Sequence, residues 1–596
     1  MAESDSPEIP SASETPTGRG AANTVAPIAL CIGAGLALAF TPVLVWRLKT
    51  GDWVCLNNWF SLYYLRFVAQ AYYNRVPYIS DVVVPGGVTG YPWLQFVPAT
   101  YAARAFAATP FTVNLIWIFL SAIGLGAGLY SVFLHFLKRP WAAAGCTVFC
   151  LSDYGLETAR PLTAQLQMLT SALWLHPKGL VIIPWGLLLQ WRVPDPGLDL
   201  PFICFQIVAL ARARERPSRL NLWLSGLAFG VLYYVFFYCW TIAIAGLCIA
   251  FLLDRAGRRV YGFTLSIGSV IGLPQLIYSI HLNHLASAEA MRRFGLFVPA
   301  PRLYLVTVPT LSLLAVAAVV LWIWKSRRFE LVYVWSLVAG GILLSRSRVV
   351  TSMFFHEYHY DWLWMPVRLT LVLIAVVSIL SARLQWRPFA TRICWAVLML
   401  YFAGGVYLSA ICVTRTQSGV NQLRNYMRYK SQRLAAGVKP LVPGSMVAGG
   451  DEFCELSAVA ENQRVLSGVA VPTSMAADND QWELRAALNA YLEGTDRAEF
   501  ERTARIATGL SFWESPEFQP KVNAAFMRKY DEISRDPARF IAELGVRYVA
   551  LPADSVQIVY LRTGWTMLQR GPYWQIWERE KSQPSTHQAS SNSIIR

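Results

Sequence analysis

GDWVCLNNWFSLYYLRFVAQAYYNRVPYISDVVVPGGVTGYPWLQFVPATYAARAF, residues 51–106, is the stretch on which the fold of this 596-residue chain turns. It lies within Arg47 to Pro110, between the first two membrane-length apolar runs. It is too aromatic for a bare linker, yet it holds acids, prolines and glycines that a bilayer-spanning helix excludes. The stretch therefore reads as a folded first external loop, 47–110, lying on a membrane surface.

Outward from that loop the chain is 55% apolar with a mean hydropathy of +0.38. Several runs reach the roughly 20 residues a bilayer crossing needs, so the chain reads as polytopic. Its formal charge of +16 is unevenly spread. Residues 1–24 have four acids and one base (−3), residues 25–413 have 29 bases and 12 acids (+17), and residues 414–596 have 22 bases and 20 acids (+2). The surplus lies between apolar runs, where Lys and Arg orient a membrane protein, which argues against a nucleic-acid partner. The ten cysteines are scattered without metal-ligand spacing. Cys146 and Cys150 share a helix face and read as small buried residues.

Residues 1–24 read as a disordered tail, and its acidic start makes Val25 to Trp46 a retained helix instead of a cleaved leader. A second span is expected at 111–136. Three shorter apolar pieces follow, 141–152, 179–191 and 200–210, of which at least one is expected to be broken or tilted. Basic groups at Lys138 and Arg139 and at Arg212, Arg214, Arg216 and Arg219 belong on the same side, so an even number of crossings separates them. The apolar stretch 220–253 suits a tight hairpin returning to Arg255, Arg258 and Arg259. Further spans are expected at 261–280, 303–324, 331–345, 363–382 and 393–413. The expectation is an α-helical polytopic protein with about 11 crossings, the N-terminus cytoplasmic, the membrane domain covering 25–413, and an extracytoplasmic α/β domain at 414–581 before a disordered tail, 582–596. Short strands are expected at 445–448, 464–467 and 546–551, with a hairpin at 565–577 turning at Arg570-Gly571-Pro572.

Val76-Pro77-Tyr78-Ile79-Ser80-Asp81, followed by Tyr91-Pro92, resembles the first external loop of the polytopic GT-C glycosyltransferases, which use lipid-linked sugar donors. Members commonly set a catalytic carboxylate there within a G-x-P-Y-x-D … Y-P-P-L kind of pattern. The resemblance implies transfer of a sugar from a polyprenyl-phosphate carrier to a lipid, glycan or protein acceptor at the extracytoplasmic face of the inner membrane. It makes Asp81 the first candidate for the catalytic acid and Asp52 the second. Two places depart from the pattern. Asn57-Asn58 stands where many members have acids, and Asn74-Arg75-Val76-Pro77 lacks the glycine. Glu543 to Val549 with its terminal hairpin also resembles the extramembrane tails of bacterial GT-C-like proteins.

Such a transfer needs a base or a carboxylate–metal pair at the acceptor hydroxyl and cations at the departing phosphate. Candidate phosphate contacts are Arg368, His356 and His359, with Glu357 as a second acid beside them, and Arg160 and Lys178 bounding the irregular 153–178 segment. The bland alternatives are specific. Asp81 can simply open a turn into Pro85-Gly86-Gly87, the 355–364 aromatics can form an interfacial belt, and Arg160 and Lys178 can snorkel to lipid head groups. Asp195 and Asp199 cannot be assigned to a side. No cofactor is called for by any motif, and a divalent metal is the one open option. Nucleotide-sugar or ATP use has no motif behind it. The competing functions are a transporter or flippase of lipid-linked intermediates and a non-catalytic cell-envelope assembly protein.

Overall fold

The structure is a computed structural model that describes residues 19–580 apart from 57–58, 76–78, 80, 82, 85–86, 88, 90, 92–93, 157–161, 176–187, 286–297, 300–309, 327, 348–350, 352, 355–357, 384–387, 469–473, 475, 508–518 and 556–562. Among the described residues, five helices are long and apolar enough to cross a membrane: Val25–Thr50, Phe111–Leu137, Arg258–Leu282, His359–Ser381 and Phe389–Arg415. Helices also cover most of the other expected spans, but they are shorter. Pro140–Ser152 has 13 residues, Arg219–Val231 has 13, Val332–Ser345 has 14 and Phe237–Leu253 has 17. At about 1.5 Å per residue these rise roughly 20–26 Å, less than the ~30 Å hydrocarbon core. The expected eleven crossings are therefore not confirmed by length.

The hairpin expected in 220–253 is present. Arg219–Val231 ends in a short 3-10 turn, Leu232–Tyr234, and Phe237–Leu253 runs back. Its two ends meet, because Arg214 from helix Asp199–Glu215 pairs with Asp254 at 2.6 Å, and Tyr261 donates to the same carboxylate at 2.9 Å. Nearby, Glu215 faces His135 at 3.2 Å and Lys138 at 3.6 Å, while Arg328 donates to the Phe136 carbonyl at 2.8 Å. The basic clusters thus gather at one end of the bundle, where the side chains interlock and do not merely share a sign.

Residue spacing sets what lies at the other end. Asp199 begins a 17-residue helix whose last residue is Glu215. The 16 intervening steps put Asp199 about 24 Å away from the basic end. There the first loop folds into two helices, Trp59–Asn74 and Val97–Ala105. An aromatic cluster fixes it to the bundle: Tyr63, Tyr64, Phe67, Tyr91 and Phe96 pack ring on ring, and Phe96 meets Trp117 edge-on at 5.4 Å. Such pairs add about 0.5–1.5 kcal/mol each beyond area burial, so the loop is a packed layer.

Beyond helix Gln417–Arg433 the chain builds a five-stranded sheet. Met446–Gly449 is flanked in parallel by Arg464–Val465 and Val546–Pro552, and the antiparallel hairpin Trp565–Arg570 and Trp574–Arg579 completes the sheet on the far side of Val546–Pro552. Helices Asp451–Glu461 and Asn479–Glu493 belong to this domain, the second capped by Asp478 accepting from Gln481 N at 2.8 Å. Buried Arg433 holds Glu461 at 2.7 Å, tying helix Gln417–Arg433 to the sheet layer.

Candidate active site

The loop acids singled out by sequence face the C-terminal domain. Asp81 is buried, and its Oδ1 accepts from Val83 N at 2.8 Å, Val84 N at 3.0 Å and Ser474 Oγ at 2.7 Å. With Gly87 N donating to Val84 O and Asp81 N to Gly87 O, both at 2.9 Å, this carboxylate shapes a turn and pins it to the distant Ser474. Asp52 pairs with Lys430 at 2.7 Å and accepts from Tyr426 Oη at 3.0 Å. Lys430 also donates to Thr50 O at 2.6 Å, and Tyr73 Oη to Ala460 O at 2.7 Å. None of the described contacts joins Asp81 or Asp52 to Arg368. Arg160, Lys178, His356 and Glu357 lie outside the described residues.

Arg368 and His359 sit on helix Tyr358–Arg383. The Arg368 guanidinium is buried over the Trp364 ring at 5.3 Å, and its Nη1 has no hydrogen-bond partner among the described residues. Asp361 beside it accepts from Trp364 Nε1 at 2.7 Å and faces Arg346 at 3.9 Å. His359 stacks on Tyr238 at 4.8 Å and meets Trp362 edge-on at 4.4 Å. His359 thus packs among aromatic rings, whereas Arg368 is a cation held away from solvent with an unused donor among the described residues.

Sequence reading left Asp195 and Asp199 unassigned, and the structure brings them together. The segment before helix Asp199–Glu215 turns through cis peptide bonds at Val193-Pro194 and Asp195-Pro196. Gly197 is where it packs closest, since a Cβ there would meet Leu189 O and Ser121 Oγ, each at 2.7 Å. Ser121 donates to Gly197 O at 2.8 Å and Gly197 N to Arg192 O at 2.9 Å, which locks the turn. Gln95, whose backbone carbonyl accepts from Trp117 Nε1 at 2.7 Å, donates its side-chain Nε2 to Asp195 at 3.1 Å and also to Asp199. Tyr64 Oη reaches Asp195 at 3.4 Å. Asp195, Asp199 and Gln95 are 3%, 0% and 6% exposed, so this is a dry polar cluster.

Burial sets its electrostatics. The Asp195 carboxyl is pushed up to about 6 by desolvation, against opposing hydrogen bonds from Asp199, Gln95 and Tyr64 and the charge of Arg192. Asp199 is raised further, first by burial and then by the neighbouring Asp195 charge. Two such carboxyls share protons as a pair. The only sequence signal was the proximity of two acids in the proline-broken run Arg192-Val193-Pro194-Asp195-Pro196-Gly197-Leu198-Asp199.

Arg192 is the cation beside the pair, acting on the Asp195 carboxyl. Arg192 lies over the Trp362 ring at 3.3 Å, linking the turn to the start of helix Tyr358–Arg383. Pro366, Val367 and Thr370 share with Leu189, Leu200 and Ile203 an apolar cavity of about 10 Å³, room for one water. A divalent metal fits this arrangement poorly. Among the described residues no three His, Cys, Asp or Glu side chains group as ligands. Gln95 moreover turns an N–H, and not its oxygen, to both carboxylates.

Among known proteins, no family model and no curated protein matches the chain. Solved structures do, these three among them. The archaeal oligosaccharyltransferase AglB from Archaeoglobus fulgidus, in complex with an inhibitory peptide and a dolichol-phosphate, is 11% identical over 89% of this chain and 70% of its own, with a TM-score of 0.45. ArnT from Cupriavidus metallidurans, bound to undecaprenyl phosphate, is 11% identical over 95% of this chain and 99% of its own, with a TM-score of 0.42. The mycobacterial arabinofuranosyltransferase AftD is 12% identical over 93% of this chain but only 40% of its own, with a TM-score of 0.46. All three are GT-C glycosyltransferases. Similarity of that order fixes no role for any residue of this chain.

Proposed function

We propose that this chain transfers a sugar from a polyprenyl-phosphate carrier to a hydroxyl of a lipid, glycan or protein acceptor at the extracytoplasmic face. The supporting observation is the junction opposite the basic end of the bundle, where Gln95 of the first loop holds two carboxylates of the 192–199 turn and Arg192 of that turn meets Trp362 near the start of helix Tyr358–Arg383. On the positive-inside rule the basic end is cytoplasmic, with the N-terminus, and the junction and C-terminal domain are outside. The acceptor oxygen attacks the anomeric carbon as its bond to the donor phosphate breaks. Arg368 and Arg192 stabilise the departing phosphate, and a carboxylate takes the acceptor proton. Asp81 and Asp52 hold the loop on the C-terminal domain in this reading, and substrate entry requires the loop to part from the helices.

The test is label transfer by purified protein in nanodiscs from a panel of hexoses and pentoses on polyprenyl phosphate. Release of free polyprenyl phosphate is expected, with Arg368→Ala slowing it by roughly 100-fold. The buried carboxylates also suit a transport path, which places ionisable groups inside a bundle. Translocation of lipid-linked sugar in proteoliposomes without transfer would favour that transporter reading. Neither activity would leave an assembly protein.

A further inference from the structure

We propose that Asp195 and Asp199 form the catalytic base of the transfer, with a proton resting on Asp199 while the Asp195 carboxylate, oriented by Gln95 and Tyr64, removes the proton of the acceptor hydroxyl. This assignment rests on the transferase reading above and names the group that reading requires.

Three observations carry it. First, the geometry is that of an oriented base. One amide nitrogen touches both carboxylates, and a tyrosine hydroxyl donates to the outer one. Second, the cluster is short of donors. Gln95 Oε1 is fully buried and accepts no hydrogen bond from any described N–H or O–H group. A buried acceptor left unmet costs about 1–3 kcal/mol, and an entering hydroxyl supplies the missing donor. Third, Arg192 acts on the Asp195 carboxyl and also lies over Trp362, so a phosphate leaving beside that ring meets a cation close to the base.

The groups facing the pair from each packed element are Tyr63, Tyr64 and Tyr91 of the first loop, Arg192 of the turn, and Cys239 of helix Phe237–Leu253. Arg192 is the one basic side chain among them. Burial raises the Asp195 carboxyl to about 6, which makes it a far stronger base than an exposed aspartate while it stays ionised at pH 7. In the step itself the acceptor O–H bond breaks and its proton passes to Asp195. The oxygen–anomeric carbon bond forms, and the carbon–phosphate oxygen bond breaks with its electron pair retained by polyprenyl phosphate. The proton then leaves to solvent when the loop opens.

The experiment compares Asp195→Asn and Asp199→Asn in nanodiscs with the same donor panel, alongside infrared titration of protonated carboxyls. Asp195→Asn should lower kcat by about 10²–10⁴-fold, with KM changed less than about 3-fold. Asp199→Asn keeps an amide donor beside Asp195 but removes the shared proton, and should lower the rate by about 10-fold, less than Asp195→Asn does. The wild-type rate should fall as pH drops through about 6, whereas residual activity of Asp195→Asn should not follow pH there. Each variant should remove carboxyl absorbance in the infrared. The proposal is overturned if folded Asp195→Asn turns over at the wild-type rate, if folded Asp199→Asn is equally dead, or if neither variant alters the carboxyl band. An active wild type with an unaffected Asp195→Asn sinks only this assignment. A wild type inactive on every donor takes the transferase reading down with it.

Discussion

Replacing Asp81 by alanine should loosen the joint between the first loop and the C-terminal domain. The Asp81 carboxylate is 2% exposed and accepts from Val83 N, Val84 N and Ser474 Oγ at 2.8, 3.0 and 2.7 Å. Its loss leaves these three donors in a dry site. At about 1–3 kcal/mol per unmet group, and with partial relaxation, the cost is about 3–4 kcal/mol. Since each ~1.4 kcal/mol is tenfold, amide exchange across 81–87 and 474–477 should accelerate by roughly 100- to 1,000-fold if those segments open together. Ser474→Ala removes one donor and its bond, so about 1 kcal/mol and roughly five- to tenfold faster exchange are expected. Hydrogen-exchange mass spectrometry in detergent reads both. Unchanged exchange in Asp81→Ala together with abolished transfer would refute the clamp. It would return Asp81 to the reaction centre.

Asp52→Asn should cost no more than about 1 kcal/mol, because the Asp52–Lys430 pair is about a third exposed. Sugar transfer by this variant should stay within a few-fold of wild type, and a loss comparable to Asp195→Asn would contradict its role as a clamp. Arg75 is exposed and holds φ +58, the left-handed region that glycine tolerates. Arg75→Gly should therefore stabilise the fold by roughly 0.5–1 kcal/mol, read as a higher thermal midpoint, and Arg75→Val should lower that midpoint. Glu493 is pushed up to about 7, by burial first and then by the Asp451 charge. Its folded form binds protons more tightly than the unfolded chain, so its effect on stability is most favourable in mild acid and is lost as pH rises through about 7. Thermal unfolding of wild type against Glu493→Gln between pH 5 and pH 8 should show a decline that the variant lacks.

Much of the architecture was legible because its signals are local. Twenty apolar residues in a row specify a helix such as Phe111–Leu137 without reference to anything else. The basic groups announced a common end, and Arg214 meeting Asp254 gives that expectation a physical contact. The strands Met446–Gly449 and Val546–Pro552 and the terminal hairpin were readable from β-branched and aromatic runs broken by Gly and Pro. Span lengths were less readable. Pro140–Ser152 and Val332–Ser345 have the hydropathy of spans but not the reach.

The site was the least legible part because its geometry is non-local. Asp81 matched a loop pattern, but its partner Ser474 lies 393 positions away and no spacing rule reveals it. Asp195 and Asp199 sit in a proline-broken run with no period, and their common partner, Gln95, is 100 residues upstream. The missing glycine at Asn74-Arg75 is informative in hindsight, since Arg75 adopts the backbone conformation that a glycine would have signalled.

The central claim is that chemistry takes place where the first loop, the 192–199 turn and helix Tyr358–Arg383 meet. Cryo-electron microscopy of the full chain in nanodiscs with undecaprenyl phosphate tests it most directly. The phosphate should be found against Arg368 and Arg192, with Asp195 about one sugar ring away. Density for the phosphate beside Lys430 and Asp52, or at the Arg214–Asp254 end of the bundle, would contradict it.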